Sequence, residues 1–394
     1  MVGIPLRDVR ALVSAGLANT LDAGPGTWGS GMKRRQFVST LAAAGVAACS
    51  RDAGDKSAGT SAPQQTFEWS CVTSWPPKYP GMGIAVDHLA ERIETASDGR
   101  LKIKVYGGGE LVPAFEVFDA VSRGTVEMGH DASYYHKGKV PAAQYFTSIP
   151  FGLNYVELNG WLYYGGGLEL WRELYAPFKL VPIPCGNTGV QMGGWFNKEI
   201  NSVADIKGLK MRIPGLGGEV IRRAGGTPVT MPGSEIFTSL QTGAIDACEW
   251  VGPYNDVAFG LHKAAKYYYY PGWQEPGPGL ECIVNADAWA SLPGDLRTIV
   301  ENTCEAIVTD MVAEYTHGNA MALAQLAEDP NVELRRFPDD VLALFKSITK
   351  ELVDEMSASD PMAAKIQKSY YEFLEKSAAN QRVSEQAYLE TRKL

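Results

Sequence analysis

Two charged residues, Arg212 and Glu249, stand in segments where their chemistry could be used together. Arg212 lies in KMRIPG and Glu249 in AIDACEW, each where a short strand is predicted to end. A guanidinium group can grip a carboxylate through two parallel hydrogen bonds. A carboxylate beside it would repel an anionic ligand, but a hard cation such as sodium or calcium would remove this conflict. A plain ion pair between Arg212 and Glu249 is the structural alternative.

Aromatic residues crowd the same regions of the sequence. They are Trp75, Tyr134, Tyr135, Trp195, Trp250 and Trp273. Aromatic walls with a few polar groups are typical of a small-molecule pocket. The alternative interpretation is that more than half of these side chains simply fill hydrophobic cores.

Signatures of catalysis are missing from the sequence. No G-x-S-x-G elbow, H-E-x-x-H pair or Walker loop occurs. His130 and His136 do not have the spacing of a metal site, so ordinary polar roles are predicted for both. We therefore expect a binding protein with no catalytic residues.

An internal repeat predicts how the charged and aromatic residues are positioned. Residues 113–127 and 232–246 share the pattern P-x-x-E-x-F followed by a glycine and a strand. The strands at 101–105 and 209–213 are matched in the same way. Alternating strands and helices indicate an α/β sheet, and two such blocks favour two related lobes over a chance match.

Two lobes imply a cleft, and α/β sheets bind ligands beyond the carboxyl ends of their strands. The repeat predicts which strand ends reach the cleft. In one lobe they are residues 104–106 and 130–131, and in the other they are residues 212–214 and 249–250.

Composition narrows the class of partner. The chain has 394 residues, 45% of them hydrophobic and 21% charged, as in a soluble globular protein. Its net charge of -9 argues against nucleic acid or an anionic membrane surface as partner. No stretch of eighteen apolar residues occurs in the sequence, so no membrane-spanning segment is predicted.

The amino-terminal region is predicted to direct export. Residues 32–50 (MKRRQFVSTLAAAGVAACS) resemble a twin-arginine signal, and Val46 to Cys49 resemble a lipoprotein processing site with Cys49 lipidated. Residues 1–49 are then an upstream extension and export signal, with Met32 as the better start, and residues 50–65 are a flexible linker. A plain signal peptide cut near Ala48 is the alternative, and in either case the protein would be periplasmic.

Five cysteines would remain after processing. They are Cys71, Cys185, Cys248, Cys282 and Cys304. Their spacings match no zinc ligand set, and buried thiols are predicted, although a disulfide is possible in the periplasm.

At this point the sequence resembles a known family. The runs QMGGWFNKEINSVADIKGLKMRIPGLGGEV, GGTPVTMPGSEIFTSLQTGAIDACEWVGPYND and YYYYPGWQEPG resemble the periplasmic receptors of TRAP transporters, the DctP-like superfamily. The resemblance covers roughly residues 66–390 and is strongest to the branch whose members bind 2-oxoacids or lactate, often with sodium or calcium.

The resemblance implies an α/β, type II periplasmic-binding-protein fold, with two lobes around a ligand cleft and a long carboxy-terminal helical region. The main part of lobe I would be residues 66–190, and that of lobe II residues 191–280. Residues 281–394 would supply crossing segments, a long helix over about 295–329, and terminal helices that can exchange between subunits to form a homodimer.

The resemblance also implies a ligand set, by position in the quoted motifs. The substrate-binding residues would be Trp75, Tyr135, Asn187, Gln191, Arg212 and Trp250. The cation ligands would be Gln191, Glu249, Trp250 (through its backbone oxygen) and Gln274, and the neighbouring Glu275 leaves the last assignment open. Cys248 departs from the family pattern, which has a small residue before the glutamate.

The function implied is a receptor that delivers a small organic carboxylate, together with Na⁺ or Ca²⁺, to the membrane permease subunits of a TRAP transporter. A sensory receptor for the same ligand is an alternative. A lyase or isomerase using Glu249 as base is a further one. The sequence alone leaves open which carboxylate and which cation are bound.

Overall fold

The computed structural model describes residues 65–392 of the chain. The predicted upstream extension, the export signal and the lipidation of Cys49 concern residues that lie outside this range, as does nearly all of the predicted linker. Within residues 65–392, none of the helices combines the length and the apolar character needed to cross a membrane.

The first of two sheets has five strands in the order β2-β1-β3-β10-β4. Their bounds are β1 Phe67–Thr73, β2 Leu101–Tyr106, β3 Met128–Asp131, β4 Leu180–Asn187 and β10 Gly279–Asn285. The first three strands are parallel, and β10 runs antiparallel between β3 and β4. Strand β10 is buried along its whole length, whereas the edge strand β2 alternates between apolar and lysine side chains.

The second sheet has six strands in the order β11-β9-β5-β8-β6-β7. Their bounds are β5 Gly194–Phe196, β6 Lys210–Arg212, β7 Thr227–Val229, β8 Ala247–Cys248, β9 Tyr267–Tyr270 and β11 Glu333–Arg336. Strand β6 is parallel to both β7 and β8, and β5 is antiparallel to β8 and β9. The two mixed sheets confirm the predicted α/β class.

Helices cover both sheets. The shorter ones are α1 Met82–Ala96, α2 Val117–Ser122, α3 Gln144–Thr147, α4 Tyr155–Tyr164, α5 Gly167–Tyr175, α6 Gly215–Arg223, α7 Gly233–Gln241, α8 Pro253–Phe259 and α9 Ala286–Ser291. The carboxy-terminal ones are α10 Gly294–Glu328, α11 Asp339–Ser359, α12 Pro361–Val383 and α13 Glu385–Thr391.

The internal repeat is present, but one of its strand matches is wrong. The matched P-x-x-E-x-F segments are α2 and α7, which precede β3 and β8 as predicted. Strand β2, however, is an edge strand and corresponds to β7, so the counterpart of β6 is the central strand β1. The cleft end in the first sheet is therefore the end of β1, next to Trp75, and not residues 104–106. The sequence match paired the wrong strands, because short apolar strands resemble each other and glycine-rich turns follow both of them.

Two extended segments carry the chain between the sheets. Residues 188–193 lead from β4 to β5, and residues 271–278 lead from β9 back to β10. The Gln191 amide donates to the carbonyl oxygen of Glu275 at 3.1 Å, so the segments run side by side. A Cβ atom on Gly272 would overlap the carbonyl oxygen of Gln191, which explains glycine at this crossing.

Helix α10 is the predicted long helix, and its observed bounds differ from the predicted 295–329 by one residue at each end. Its buried side chains, including Leu296, Ile307 and Met311, join the core that contains β1 and β10. The same helix contacts α8 of the second-sheet half. It therefore spans both halves of the molecule.

The terminal helices α11 and α12 pack on different parts of the molecule. Phe345 of α11 contacts Trp273 of a crossing segment, with ring centroids 4.4 Å apart. The Tyr370 hydroxyl of α12 accepts a hydrogen bond from the Leu153 amide at 2.8 Å. The predicted long carboxy-terminal helical region is thereby confirmed.

Cysteines of the described chain all have buried side chains with free thiols. They are Cys71, Cys185, Cys248, Cys282 and Cys304. They act here as small core residues, as predicted.

Truncating the core side of α10 should destabilise the protein. We expect Ile307→Ala to lower the free energy of unfolding by about 2–5 kcal/mol, because Ile307 is fully buried and its loss leaves a cavity. The matched control is Met321→Ala on the same helix, whose side chain is 58% exposed and whose loss should cost less than about 0.5 kcal/mol. Urea denaturation measures both, and equal losses would contradict the packing of this helix.

Candidate functional site

A small cavity lies where strands β1, β3 and β8 end and the two crossing segments meet. The free space between its walls is only about 10 Å³, roughly the room needed for one water molecule. Its walls are formed by Trp75, Met82, Tyr134, Tyr135, Thr188, Gln191, Trp250, Val251, Glu275, Pro278 and Leu280. Four predicted substrate-binding residues, Trp75, Tyr135, Gln191 and Trp250, are therefore brought together around one cavity.

Arg212 and Glu249 form a buried ion pair beside this cavity. Parallel pairing of β6 with β8 puts Arg212 opposite Cys248, so the next residue, Glu249, lies against the guanidinium. Arg212 Nη1 contacts Glu249 Oε1 and also donates to the Glu249 backbone oxygen at 2.9 Å. The side chains are 1% and 0% exposed. The ion pair considered as an alternative is thus the observed contact.

The second guanidinium nitrogen of Arg212 is left without a partner. Nη2 is buried and makes no hydrogen bond, while Nε donates to the Met231 oxygen at 3.3 Å. The guanidinium carbon lies 5.1 Å from the centroid of the Trp250 ring. A buried cationic donor with a free N–H direction is suited to an anionic ligand.

Trp250 is itself held firmly. Its Nε1 donates to the Tyr79 hydroxyl at 3.1 Å, and that hydroxyl donates to the Asn255 oxygen at 2.7 Å. The Trp250 and Tyr79 rings pack edge to face with centroids 6.1 Å apart. The aromatic wall beneath the guanidinium is therefore fixed before any ligand binds.

Four oxygen atoms at this site are buried without a hydrogen-bond partner. They are Gln191 Oε1, Glu249 Oε2, Gln274 Oε1 and Glu275 Oε2. Buried acceptors of this kind are costly unless they are satisfied by a donor or a cation. A set of carboxylate and amide oxygens is the donor set of a hard cation such as sodium or calcium. The residues present therefore fit the predicted cation.

Burial and like charges shift the acids of the site. Burial raises the pKa of Glu249 to about 7, although Arg212 opposes the shift. Burial, with the charge of Glu249 second, raises the pKa of Glu275 well above its usual range. A bound cation would reverse this tendency, because it favours the ionised form of both carboxyl groups.

Two tyrosines complete the wall opposite Trp250. Tyr134 and Tyr135 lie in the 3-10 turn Ser133–His136 after β3, with ring centroids 4.7 Å apart. Burial raises the pKa of both hydroxyls above their usual range, so both stay protonated. Each can donate a hydrogen bond to an anionic ligand.

Trp75 is oriented by a buried histidine. Trp75 Nε1 donates to His130 Nδ1 at 2.7 Å, and His130 Nε2 lies 2.7 Å from the Cys185 oxygen. Burial lowers the pKa of His130 to about 4, so the ring is neutral and donates through Nε2. His130 has the ordinary polar role that was predicted.

The remaining predicted residues have different surroundings. The Asn187 amide bridges the crossing segments, since Nδ2 donates to the Gly277 oxygen at 3.0 Å and Oδ1 accepts from the Gly189 amide at 2.9 Å. Gln274 Nε2 donates to the Met192 oxygen at 2.8 Å, and its side chain is not part of the cavity wall, whereas Glu275 is.

Other aromatic residues of the sequence belong to the core. The Trp195 ring stacks on Tyr268 with centroids 4.1 Å apart, and its Nε1 donates to Asp256 at 3.0 Å. Trp273 packs against Phe345. Thr188, Met82 and Leu280 also belong to the cavity wall but were not predicted, because apolar and small polar residues carry no signal outside a motif.

Comparisons with known proteins identify relatives of this chain. It is 42% identical over 362 residues to the monocarboxylate 2-oxoacid-binding periplasmic protein of Nostoc sp., covering 91% of this chain and 98% of that one. The crystal structure of a TRAP periplasmic solute binding protein from Pseudoalteromonas atlantica, with bound sodium and pyruvate, superposes with a TM-score of 0.80 at 44% identity, covering 83% of this chain and 99% of that one.

A second solved structure is similar to the same degree. It is a TRAP periplasmic solute binding protein from Colwellia psychrerythraea with bound calcium and pyruvate, with a TM-score of 0.81, 43% identity and coverage of 83% of this chain and 100% of that one. The family described as DctP, bacterial extracellular solute-binding protein family 7, matches residues 71–360. The chain belongs to this family of solute-binding proteins.

Proposed function

We propose that this protein is the extracytoplasmic solute receptor of a TRAP transporter and binds a small monocarboxylate, either a 2-oxoacid such as pyruvate or the 2-hydroxyacid lactate, together with Na⁺ or Ca²⁺. One observation carries the proposal. Arg212, with a free Nη2, is buried behind the cavity wall that Trp250 forms, and the unpartnered oxygens of Gln191 and Glu275 belong to residues of the same cavity wall. Anion and cation are therefore demanded by the same site.

The ligand carboxylate would be bound by Arg212, with Tyr135 and Tyr134 as hydroxyl donors. Trp75 and Trp250 would form the aromatic walls. Gln191 would contact both substrate and cation, since its Nε2 donates to Thr188 at 3.2 Å and its Oε1 is free. Asn187 would act by fixing the crossing segments. The walls lie close together, so they would move apart to admit a ligand, and they favour a compact acid over a long one.

The cation would be held by Gln191, Glu249 and the backbone oxygen of Trp250. For the fourth ligand, the geometry favours Glu275 over Gln274, because Glu275 lines the cavity and Gln274 uses its amide to bind the backbone. When bound, the cation supplies positive charge beside two carboxylates, which allows an anionic ligand to approach. With calcium, the charges of the ion, the ligand carboxylate, Arg212, Glu249 and Glu275 would sum to zero.

Release to the permease would follow from movement of the two sheets relative to each other about the crossing segments. The halves are in contact in this structure, where Lys137 Nζ donates to the Gly215 oxygen at 2.7 Å, and this hydrogen bond would break on opening. The family is one of receptors and not of enzymes. We propose that Glu249 is a cation ligand and not a base, and that the receptor serves transport and not sensing.

The protein would work in the periplasm, exported by a twin-arginine signal and anchored through Cys49. This part of the proposal rests on the sequence of residues 32–50. Metabolic labelling with a fatty acid should mark the wild-type protein and not Cys49→Ser.

Replacing Arg212 by lysine should weaken carboxylate binding even though the positive charge is retained. We expect Arg212→Lys to weaken pyruvate binding by at least roughly 30-fold, because lysine cannot contact Glu249 and a carboxylate as a planar fork. Isothermal titration calorimetry in sodium buffer measures the loss. Arg222→Lys on the exposed face of α6 is the matched control and should bind as the wild type does. Unchanged affinity in Arg212→Lys would show that the anion binds elsewhere.

Neutralising either acid of the cation set should weaken cation binding. We expect Glu249→Gln and Glu275→Gln each to lower calcium affinity by roughly 10-fold or more, since ligand charge sets affinity in such sites. Calorimetry with calcium alone measures this, with the exposed Glu235→Gln as control. A normal calcium affinity in Glu275→Gln would contradict this assignment and indicate Gln274 as the fourth cation ligand.

Helix α13 is proposed to join two copies of the chain into a homodimer. It leaves Tyr388 65% and Leu389 53% exposed, and Val383 just before it is 79% exposed, an apolar surface suited to a second copy. We expect Tyr388→Glu together with Leu389→Glu to convert a dimer to a monomer in light-scattering mass measurements. Gln386→Glu adds a charge to the same helix and should leave the mass unchanged. A monomeric wild type would remove the dimer from the proposal.

A further inference from the structure

Three buried side chains outside the cavity converge behind its tyrosine wall. Asp131 ends β3 and is paired across the strands with Glu281 of β10, so both side chains leave the same face of the sheet. His136 ends the 3-10 turn that follows β3. Asp131 and Glu281 are fully buried, and His136 is 5% exposed.

One atom of each side chain faces the same point. His136 Nε2 lies 2.9 Å from Asp131 Oδ2 and 3.5 Å from Glu281 Oε1, and the three atoms lie within 4.8 Å of one another. None of the three makes a hydrogen bond. Such close contacts without a well-aligned hydrogen bond are expected when three ligand atoms face a shared centre.

The other carboxylate oxygens are already occupied by donors. Ser74 Oγ and the Ala132 amide donate to Asp131 Oδ1 at 2.6 and 2.7 Å. The Tyr175 hydroxyl donates to Glu281 Oε2 at 3.0 Å. Metal ligands are commonly oriented by such outer hydrogen bonds, which hold one oxygen and leave the other for the ion.

Charge and distance both suit a divalent ion. Two carboxylates in a fully buried setting are strongly penalised unless a positive charge lies between them, and either a protonated His136 or a metal ion supplies that charge. Zinc bonds to nitrogen and oxygen of about 2.0–2.2 Å place neighbouring tetrahedral ligand atoms roughly 3.4 Å apart. The observed separations of 2.9 and 3.5 Å from the imidazole nitrogen lie on either side of that value.

We propose that Asp131, His136 and Glu281 bind one divalent transition-metal ion, with zinc as the fitting choice. An imidazole nitrogen with carboxylate oxygens suits such a metal better than sodium or calcium. The ion would fix the turn Ser133–His136 on the sheet and so hold Tyr134 and Tyr135 in the cavity wall. No local sequence pattern predicts this site, because Glu281 lies 145 residues from His136 in the chain.

Zinc titration of the metal-free protein tests this site. The full chain is stripped with a chelator, desalted, and titrated with zinc chloride alone, with no carboxylate ligand present. We expect one zinc per chain, a raised melting temperature, and the same result for Glu235→Gln, which changes an exposed acid. His136→Gln and Glu281→Gln should lose the uptake and the temperature rise.

Controls distinguish zinc binding at this site from binding to surface residues, and loss of the site from misfolding. His317→Gln removes an exposed imidazole from α10 and should retain full zinc uptake. If His136→Gln does not fold, Glu281→Gln and the visible spectrum of the cobalt-loaded wild type decide the matter. No zinc uptake by the wild type would overturn the site and leave a buried ion pair. Uptake that survives Glu281→Gln but disappears in His317→Gln would overturn it equally.

Discussion

The buried contact between Arg212 and Glu249 is the interaction on which the architecture of this site depends. Removing both charges from water is expensive, and their mutual attraction offsets that cost only with good geometry. The parallel pairing of β6 and β8 provides this geometry. Arg212 lies opposite Cys248, the last residue of β8, and Glu249 follows it directly. Even so, Arg212 Nη2 and Glu249 Oε2 keep unused hydrogen-bonding capacity. The ion pair is therefore tolerated in the protein interior, but two of its polar atoms still lack a hydrogen-bond partner or ligand.

The rest of the fold brings those partners into reach. Two chain crossings place Gln191 and Glu275 side by side between the sheets, and Gly272 lets their backbones touch. Trp250 and Trp75 are each fixed by a hydrogen bond to a second ring, so the walls are rigid. Helix α10 packs on both halves and supports the sheets from behind. Rigid walls on two halves that are joined by crossing segments suit a receptor that must close on its ligand and open again.

Much of this site could be predicted from the sequence, and the failures have physical causes. Residues with distinctive chemistry, such as Arg212, Glu249 and Trp250, lie in short motifs at strand ends and could be named. The strand match of residues 101–105 with 209–213 failed, because short apolar strands carry little information about sheet order. Asp131 and Glu281 meet only through antiparallel pairing across 150 residues of chain, a long-range contact that no local pattern reveals. Glu275 and Gln274 are neighbours, and only the backbone direction decides which one faces the cavity.

The central claim is that cation and carboxylate occupy one site and each favours binding of the other. Reciprocal calorimetry of the wild-type protein tests it most directly, with pyruvate titrated in the absence and presence of calcium, and calcium titrated without and with pyruvate. Linkage requires that both affinities rise by the same factor, and we expect that factor to be roughly 10 or more, as for a coupling above about 1.4 kcal/mol. A pyruvate affinity that is independent of calcium, and equally of sodium, would contradict the account.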